Sequence, residues 1–449
     1  MNTHYQYVPL TGKKILIVSV PFENHIRQLS GLAVLLKSQG ASVGWYAPSY
    51  FSDVICKLGV MHFPYRLATD MSSNKMDRVM RERKEISSLM RQMNYDFTHV
   101  FAEPAANYYM DLKYIHRNYA FELVISDNLF SGVPFIKAKM KLPVIIVGMT
   151  PLSQSSADTY HFGYGLQPGR SAGGKLKQYI WNYLLTRFTL RRAQQVYCQQ
   201  LYDHGVAYNG HTILDVITRY ADVYLQQGTA AFEYERTDLG KNVRFIGRLP
   251  QIDDHTELNQ ATVNKLAHFQ QVLLISGDVS TDKFRAVINA FDHTDTLLVF
   301  CCDEVEHQFL ITQQPHARDN VIFTSRSDMA ALMPFCTAFL TNGEYEGVMQ
   351  AIVSALPIVA AGLREGRNEV CARIRHFGVG IDLQTETPSA TSIRRAFRAM
   401  VTDPRYKVRV SALSEKLHSI EPGAVILQTI FDLLNNHGPT DVPAASLNN

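Results

Sequence analysis

A chain of 449 residues is too long for one ordinary hydrophobic core, so two domains of about 200 residues are expected. Hydrophobic residues at 46% and charged residues at 19% describe a folded protein, and 44 basic against 41 acidic residues leave a formal charge of only +3. That balance, with no basic block or basic helix, provides no field for nucleic acid or for a membrane.

Apolar runs alternate with helical stretches from the start. After MNTHYQYVPLTGKK, too short an apolar lead for a signal peptide or a membrane span, come strands KILIVSV (14–20), SVGWYA (42–47), ELVIS (122–126) and VIIVG (144–148). Between the first two, Ile26, Leu29, Leu32, Ala33 and Leu36 recur at helical spacing and Gly40 marks the end. A second series holds VRFIG (243–247), VLLIS (272–276), LLVFC (297–301), VIFTS (321–325), FLT (339–341) and PIVAA (357–361). Continuous apolar strands separated by helices predict parallel sheets buried on both faces. Two series predict two doubly wound α/β domains, 1–235 and 236–435, divided near the polar stretch FEYERTDLGKN and followed by a flexible tail, 436–449. The six cysteines are scattered, with no C-x-x-C pair, which favours buried thiols in a reducing, cytoplasmic compartment over disulfides or a metal site.

Ligands of doubly wound sheets bind beyond the carboxyl ends of the strands. Those ends carry Phe22 to His25, Asp127 and Asn128, the loop Gly277-Asp278-Val279, Arg326 and Ser327, and the turn Asn342-Gly343-Glu344. A lone His at a strand–helix junction is more often a surface residue, and an Asp after a strand is commonly a helix cap. As a pair they gain meaning, because a carboxylate that orients an imidazole and stabilises its cation makes a general base near neutral pH. One glycine at Gly277 is a weak phosphate signal, and Asp278 opposes an anion.

KILIVSVPFENHIRQLSGLAVLLKSQGASVGWYAP resembles the opening strand, G-H-x-x-P loop and helix of the UDP-glycosyltransferase superfamily, with Asn24 and Gln28 in place of its Gly and Pro. ELVISDNLFSGVPFIKAKMKLPVIIVGMTPL is similar to the segment that carries the family's acidic partner, here Asp127. NGEYEGVMQAIVSALPIVAAGLREGRNEVCARIRHFGVGIDL resembles the donor-binding signature, and YHFGYGLQPG and FEYERTDLGKNVRFIGRLP match stretches of the bacterial macrolide-glycosyltransferase-like branch. The resemblance runs from about residue 13 to residue 435. It implies a GT-B fold, two Rossmann-like domains facing across a cleft, and an inverting, metal-independent transfer of a hexose from a UDP- or dTDP-linked donor to a hydroxyl of an apolar small molecule or lipid.

In that reading His25 is the base and Asp127 stabilises its imidazolium. The donor contacts implied are Gly277, Asp278, Val279, Arg326, Ser327, Asn342, Gly343, Glu344, Gly347, Val348, Gln350, Glu365, Arg367 and Asn368. Gly343 lets the backbone approach the diphosphate, and Gln350 stands where the family has a ribose-binding Glu. The acceptor wall falls to Phe22, Met71, Tyr108, Phe130, Tyr160 and Phe162, in a methionine- and aromatic-rich N-terminal half that includes Met76, Met80, Met90 and Met93. The resemblance implies no cofactor beyond the nucleotide sugar as co-substrate, no metal, no nucleic-acid partner, and a monomer or weak homodimer. Glu344 and Glu346 depart from the branch, whose relatives read N-G-G-Y-G-G-V. A carboxylate about 5 Å from a diphosphate costs on the order of 3 kcal/mol per charge pair at an effective dielectric near 20. Two further readings therefore stay open: an inactive relative that acts as a binding or partner protein, and a nucleotide-sugar epimerase of the same fold.

Overall fold

The computed structural model describes residues 10–69, 74–169, 171–208, 210–252, 258–277, 280–313 and 318–436. Seven strands form the first sheet: β1 (Lys14–Val18), β2 (Ser42–Ala47), β3 (Met61–Pro64), β4 (Leu123–Asp127), β5 (Val144–Gly148), β6 (Val223–Gln226) and β7 (Val243–Phe245). Six form the second: β8 (Gln271–Ser276), β9 (Thr296–Cys302), β10 (Val321–Ser325), β11 (Ala338–Thr341), β12 (Ile358–Ala360) and β13 (Gly380–Asp382). All pairings within both sheets are parallel.

The strand orders are β3-β2-β1-β4-β5-β6-β7 and β10-β9-β8-β11-β12-β13. Each sheet is thus wound twice from its first strand, and the winding reverses between β1 and β4 and between β8 and β11. Such a reversal leaves a crevice at the strand carboxyl ends, because successive connections leave on opposite faces. The β1–β4 register runs from Ile15 against Leu123 to Val18 against Ser126, and β8–β11 ends with Ser276 against Thr341. His25 and Asp127 therefore follow neighbouring strands at one crevice, and Gly277 and Asn342 follow neighbouring strands at the other.

The cores follow from the two-residue period of a strand. Leu16 and Val18 point into one core with Tyr46, Tyr108 and Phe130, while Ile15 and Ile17 point into the other with Ile26, Leu29, Leu32, Ala33 and Leu36 of the Glu23–Ser38 helix. Residues buried on both faces explain the unbroken apolar run in β1. The second sheet is likewise sandwiched between two apolar layers.

Two expectations about organisation change. VRFIG, expected in the second series, instead supplies Val243–Phe245, which pairs with β6 and closes the first sheet. The first sheet therefore continues past residue 235. Ile426, Leu427 and Ile430, from the last helix of the chain, also sit in the first sheet's core beside Leu225 and Ile246. A polar linker marks chain exposure, not sheet membership, and the pairing of a three-residue strand is a tertiary choice. Strands β3, β6 and β13 carried no sequence prediction; each has only three or four residues. The expected tail from residue 437 onward lies outside the described residues.

Candidate active site

The Glu23–Ser38 helix starts five residues after β1 and seats His25 at its first turn, 8% exposed. Asp127 ends β4 with no exposure. Its Oδ2 accepts a hydrogen bond from the Val20 amide at 2.6 Å and its Oδ1 one from the Leu129 amide at 2.8 Å. These two amides fix the position and orientation of the carboxylate. His25 Nδ1 lies 3.3 Å from Asp127 Oδ2, within ion-pair range but without hydrogen-bond alignment, and has no other partner.

His25 opens onto a cleft of about 670 Å³ between the two sheets. Its apolar wall comes from the first half of the chain and includes Phe22, Met80, Met90, Met93, Phe97 and Phe162. Its opposite wall is polar and includes Gly343, Glu344, Glu346, Glu365, Arg367 and Asn368.

Glu344 caps the Tyr345–Val353 helix, and its backbone N–H donates to Asn342 Oδ1 at 3.2 Å. The two unusual glutamates line the cleft and are engaged by the facing helix. Across the cleft, Asn24 Nδ2 donates to Glu344 Oε1, and Arg27 Nη2 donates to Glu346 Oε2 at 2.8 Å. Glu346 is 8% exposed and also lies close enough to Arg248 to act on its charge. Burial pushes the Glu344 carboxyl above its ordinary pKa, Arg27 pulls it down, and Glu346 adds to the rise. Thus Asn24 and Arg27, on the turn of helix around His25, each bind one of the two carboxylates across the cleft.

This clasp has a measurable signature. In a double-mutant cycle of Arg27→Ala and Glu346→Gly, unfolding free energies should show coupling of about 0.5–1 kcal/mol, since the Arg27 side chain is partly exposed. Glu346→Gly alone should leave nucleoside-diphosphate affinity within about twofold, or tighten it. Additive effects and weakened binding would show that Glu346 faces the ligand instead.

Several predicted donor residues have other occupations. Asn368 Nδ2 donates to the Gly163 carbonyl at 2.8 Å, and Glu365 pairs with Arg83 and Arg367, each at 3.3 Å. Arg326 forms a two-pronged pair with Glu306, at 2.9 and 2.8 Å, and the Ser327 hydroxyl donates to Ser325. Val348 is wholly buried in the second sheet's core, and Gly347 packs near Phe339. Two polar atoms stand out by contrast. Asn342 Nδ2 and Gln350 Oε1 are buried without hydrogen-bond partners, and such groups cost about 1–3 kcal/mol unless something satisfies them.

Gly343 adopts φ of 90° and Gly277 of 104°. A Cβ at Gly343 would lie 2.6 Å from Cys371 Sγ and 3.0 Å from the Arg367 carbonyl. A Cβ at Gly277 would lie 2.5 Å from Asn342 Cγ. Both glycines therefore serve the packing of this turn itself, and the Gly343 N–H donates to Thr341 Oγ1. Asp278 and Val279 lie outside the described residues.

On the acceptor side, Phe22 and Phe162 line the cleft, whereas Tyr108 and Phe130 stack on each other at 4.4 Å in the core and are at most 2% exposed. They sit with Tyr46 and Tyr65 behind β1 and β4, where aromatic composition alone could not separate a wall from a core. Tyr160 packs edge-to-face on Tyr164, away from the cleft lining. Met71 lies outside the described residues.

Sequence reasoning did not find Arg27, Glu369, Glu233 or Arg373. Gly163 and Gly165 amides donate to Glu369 Oε1 at 2.8 and 2.7 Å, docking the 160–165 loop on the Arg367–Phe377 helix. Buried Arg373 bridges Glu369 and Glu233. Glu369 and Arg373 are an i,i+4 pair on one helix, but their partners Gly163, Gly165 and Glu233 lie more than 100 residues away and leave no local pattern.

Two Rossmann-like sheets whose crevices face each other across one cleft form the GT-B fold. Residues 174–431 match the family described as UDP-glucoronosyl and UDP-glucosyl transferase, and the chain belongs to that family. It is 27% identical to 4'-demethylrebeccamycin synthase of Lentzea aerocolonigenes over 90% of this chain and 96% of that protein. It is 25% identical to UDP-glucosyltransferase 1 of Beauveria bassiana over 92% and 94%. The fold matches the glycotransferase of kitacinnamycin with a TM-score of 0.71, 17% identity and coverage of 94% and 99%. It matches glycosyltransferase VinC in complex with DTDP with a TM-score of 0.67, 15% identity and coverage of 94% and 100%. The protein is a glycosyltransferase with natural-product glycosyltransferases among its relatives. Among the described residues no helix is long and apolar enough to cross a membrane.

Proposed function

We propose that the enzyme transfers a hexose, with inversion, from a UDP- or dTDP-linked donor to a hydroxyl of an apolar small molecule or lipid. His25 takes the acceptor hydroxyl proton on its free ring nitrogen as the acceptor oxygen attacks the anomeric carbon. The bond from that carbon to the diphosphate oxygen breaks, and the nucleoside diphosphate leaves with its electron pair. Asp127, oriented by two backbone amides, stabilises the imidazolium. No covalent enzyme intermediate forms, because the acceptor is the nucleophile.

The single observation that carries the reading is the 3.3 Å approach of His25 to a fully buried Asp127, at a crevice facing the second sheet's crevice across one cleft. The unpartnered Asn342 Nδ2 and Gln350 Oε1 would hydrogen-bond a phosphate oxygen and a ribose hydroxyl, and first-turn amides of the Tyr345–Val353 helix would face the diphosphate. The methionine-rich wall suits an apolar acceptor. The inactive-relative reading rested on Glu344 and Glu346, and their bonds to Asn24 and Arg27 weigh against it.

Calorimetric titration with UDP and with dTDP in the presence of EDTA tests the donor site. Binding of one in the micromolar range is expected, and NMR of a transferred sugar should show an inverted anomeric configuration. Binding of neither nucleotide, or retention of configuration, would overturn the reading.

A further inference from the structure

The Ala172–Leu184 helix carries an apolar stripe that faces out of the molecule. Leu176, Tyr179, Ile180, Tyr183 and Leu184 recur at the three- and four-residue spacing that ordinarily turns a helix toward a core. Here the buried side is polar Gln178, while Tyr179 is 70% exposed, Tyr183 55% and Leu176 61%. Phe188, just beyond the helix, extends the patch at 64% exposure. A contiguous exposed apolar stripe of this kind marks a contact surface.

The charges that the segment itself carries are of one sign, while Asp238 shares a groove with Tyr179 and Tyr183 and Asp158 lies near Lys175. Lys175 and Lys177 flank the stripe near its start, Arg187 lies within its far end, and Arg191 and Arg192 follow; all five are exposed. Residues 160–202 contain six of the chain's 44 basic residues and none of its 41 acidic ones. The whole-chain charge of +3 conceals this segregation, so the sequence-level expectation of no membrane field holds for the average and fails locally.

We infer that this helix is a docking face for an anionic lipid surface, lying in the interface plane with its aromatic stripe among the headgroups. A basic amphipathic helix with Tyr and Trp at its apolar boundary has the chemistry for such a surface. A second copy of the chain suits it less well. A twofold pairing through this face would set five basic side chains against five more, with only Asp158 and Asp238 of the neighbouring loops to answer them.

The face adjoins the cleft. The Tyr164 hydroxyl donates to the Trp181 carbonyl at 3.0 Å and the two rings pack edge-to-face at 5.5 Å, while Phe162 and Gly163 line the cleft. A lipid-dissolved acceptor would reach the apolar wall without crossing bulk water. That last step rests on the function proposed above; the docking itself does not.

Vesicle flotation with the full chain tests the docking. Binding to vesicles with a substantial phosphatidylglycerol fraction should exceed binding to pure phosphatidylcholine vesicles by about tenfold or more, and should fall about tenfold in 0.5 M salt. The triple variant Tyr179→Ser, Ile180→Ser, Tyr183→Ser should lose binding by about tenfold while its thermal midpoint and its UDP and dTDP titrations match wild type. Equal binding to both vesicle types, or none, overturns the inference. So does a wild-type dimer that the triple variant converts to monomer, seen by light scattering, in a protein that ignores vesicles. Because no arm requires sugar transfer, an inactive protein that still docks would separate failure of the function from failure of this inference.

Discussion

His25→Ala should lower turnover by at least about a hundredfold, the usual weight of a general base, while nucleoside-diphosphate affinity stays near that of the wild type. The asymmetry follows from position. His25 stands on the first-sheet side of the cleft, whereas Asn342 and Gln350 lie at and just beyond the end of β11 in the second. Asp127→Asn keeps the acceptor oxygen but loses the charge that stabilises imidazolium, and its amide nitrogen would meet the Val20 or Leu129 N–H in place of a lone pair. It should slow the reaction less than His25→Ala. The double variant should be no slower than His25→Ala alone, because the carboxylate acts through the imidazole. Steady-state rates with any accepted sugar hydroxyl compound decide the matter. Near-full activity of His25→Ala removes it from the mechanism, and additive losses mean that the two residues act separately.

Gly343→Val should cost the fold about 3 kcal/mol or more. A left-handed backbone conformation disfavours any residue with a Cβ by roughly 1–2 kcal/mol, and forced overpacking adds typically 1–3 kcal/mol. Both apply, since φ is 90° and a Cβ would stand 2.6 Å from Cys371 Sγ. The denaturant midpoint should drop, with loss of donor binding following from displacement of the Asn342–Glu344 turn against the Arg367–Phe377 helix. The smaller Gly343→Ala should show the same effect in lesser degree. If either variant kept wild-type stability and lost only nucleotide binding, the glycine would be there for the ligand and not for the packing.

The one-dimensional pattern was enough for the layers of this protein. Short, β-branched apolar runs such as ILIV and VIIV fit strands covered on both faces, and the spacing from Ile26 to Leu36 fits a helix with one buried side. Their alternation determined the doubly wound class, and the order of strand ends placed His25 and Asp127 on candidate loops before any coordinates. Pairings between distant segments were decided by the tertiary structure. Val243–Phe245 joined the first sheet because β6 offered a free edge, a choice that three residues cannot encode. Tyr108 and Phe130 became core, while Met80, Met90 and Met93 became cleft wall, though all are apolar side chains on neighbouring helices and loops. Glu344 and Glu346 looked like obstacles to a phosphate until Asn24 and Arg27, about 320 residues earlier in the chain, came within hydrogen-bonding reach. The physical reason is common to these cases. Periodicity reports which face of an element avoids water, a local property. Partner identity depends on how elements meet, and side-chain charges a few ångströms apart in space leave no spacing in sequence.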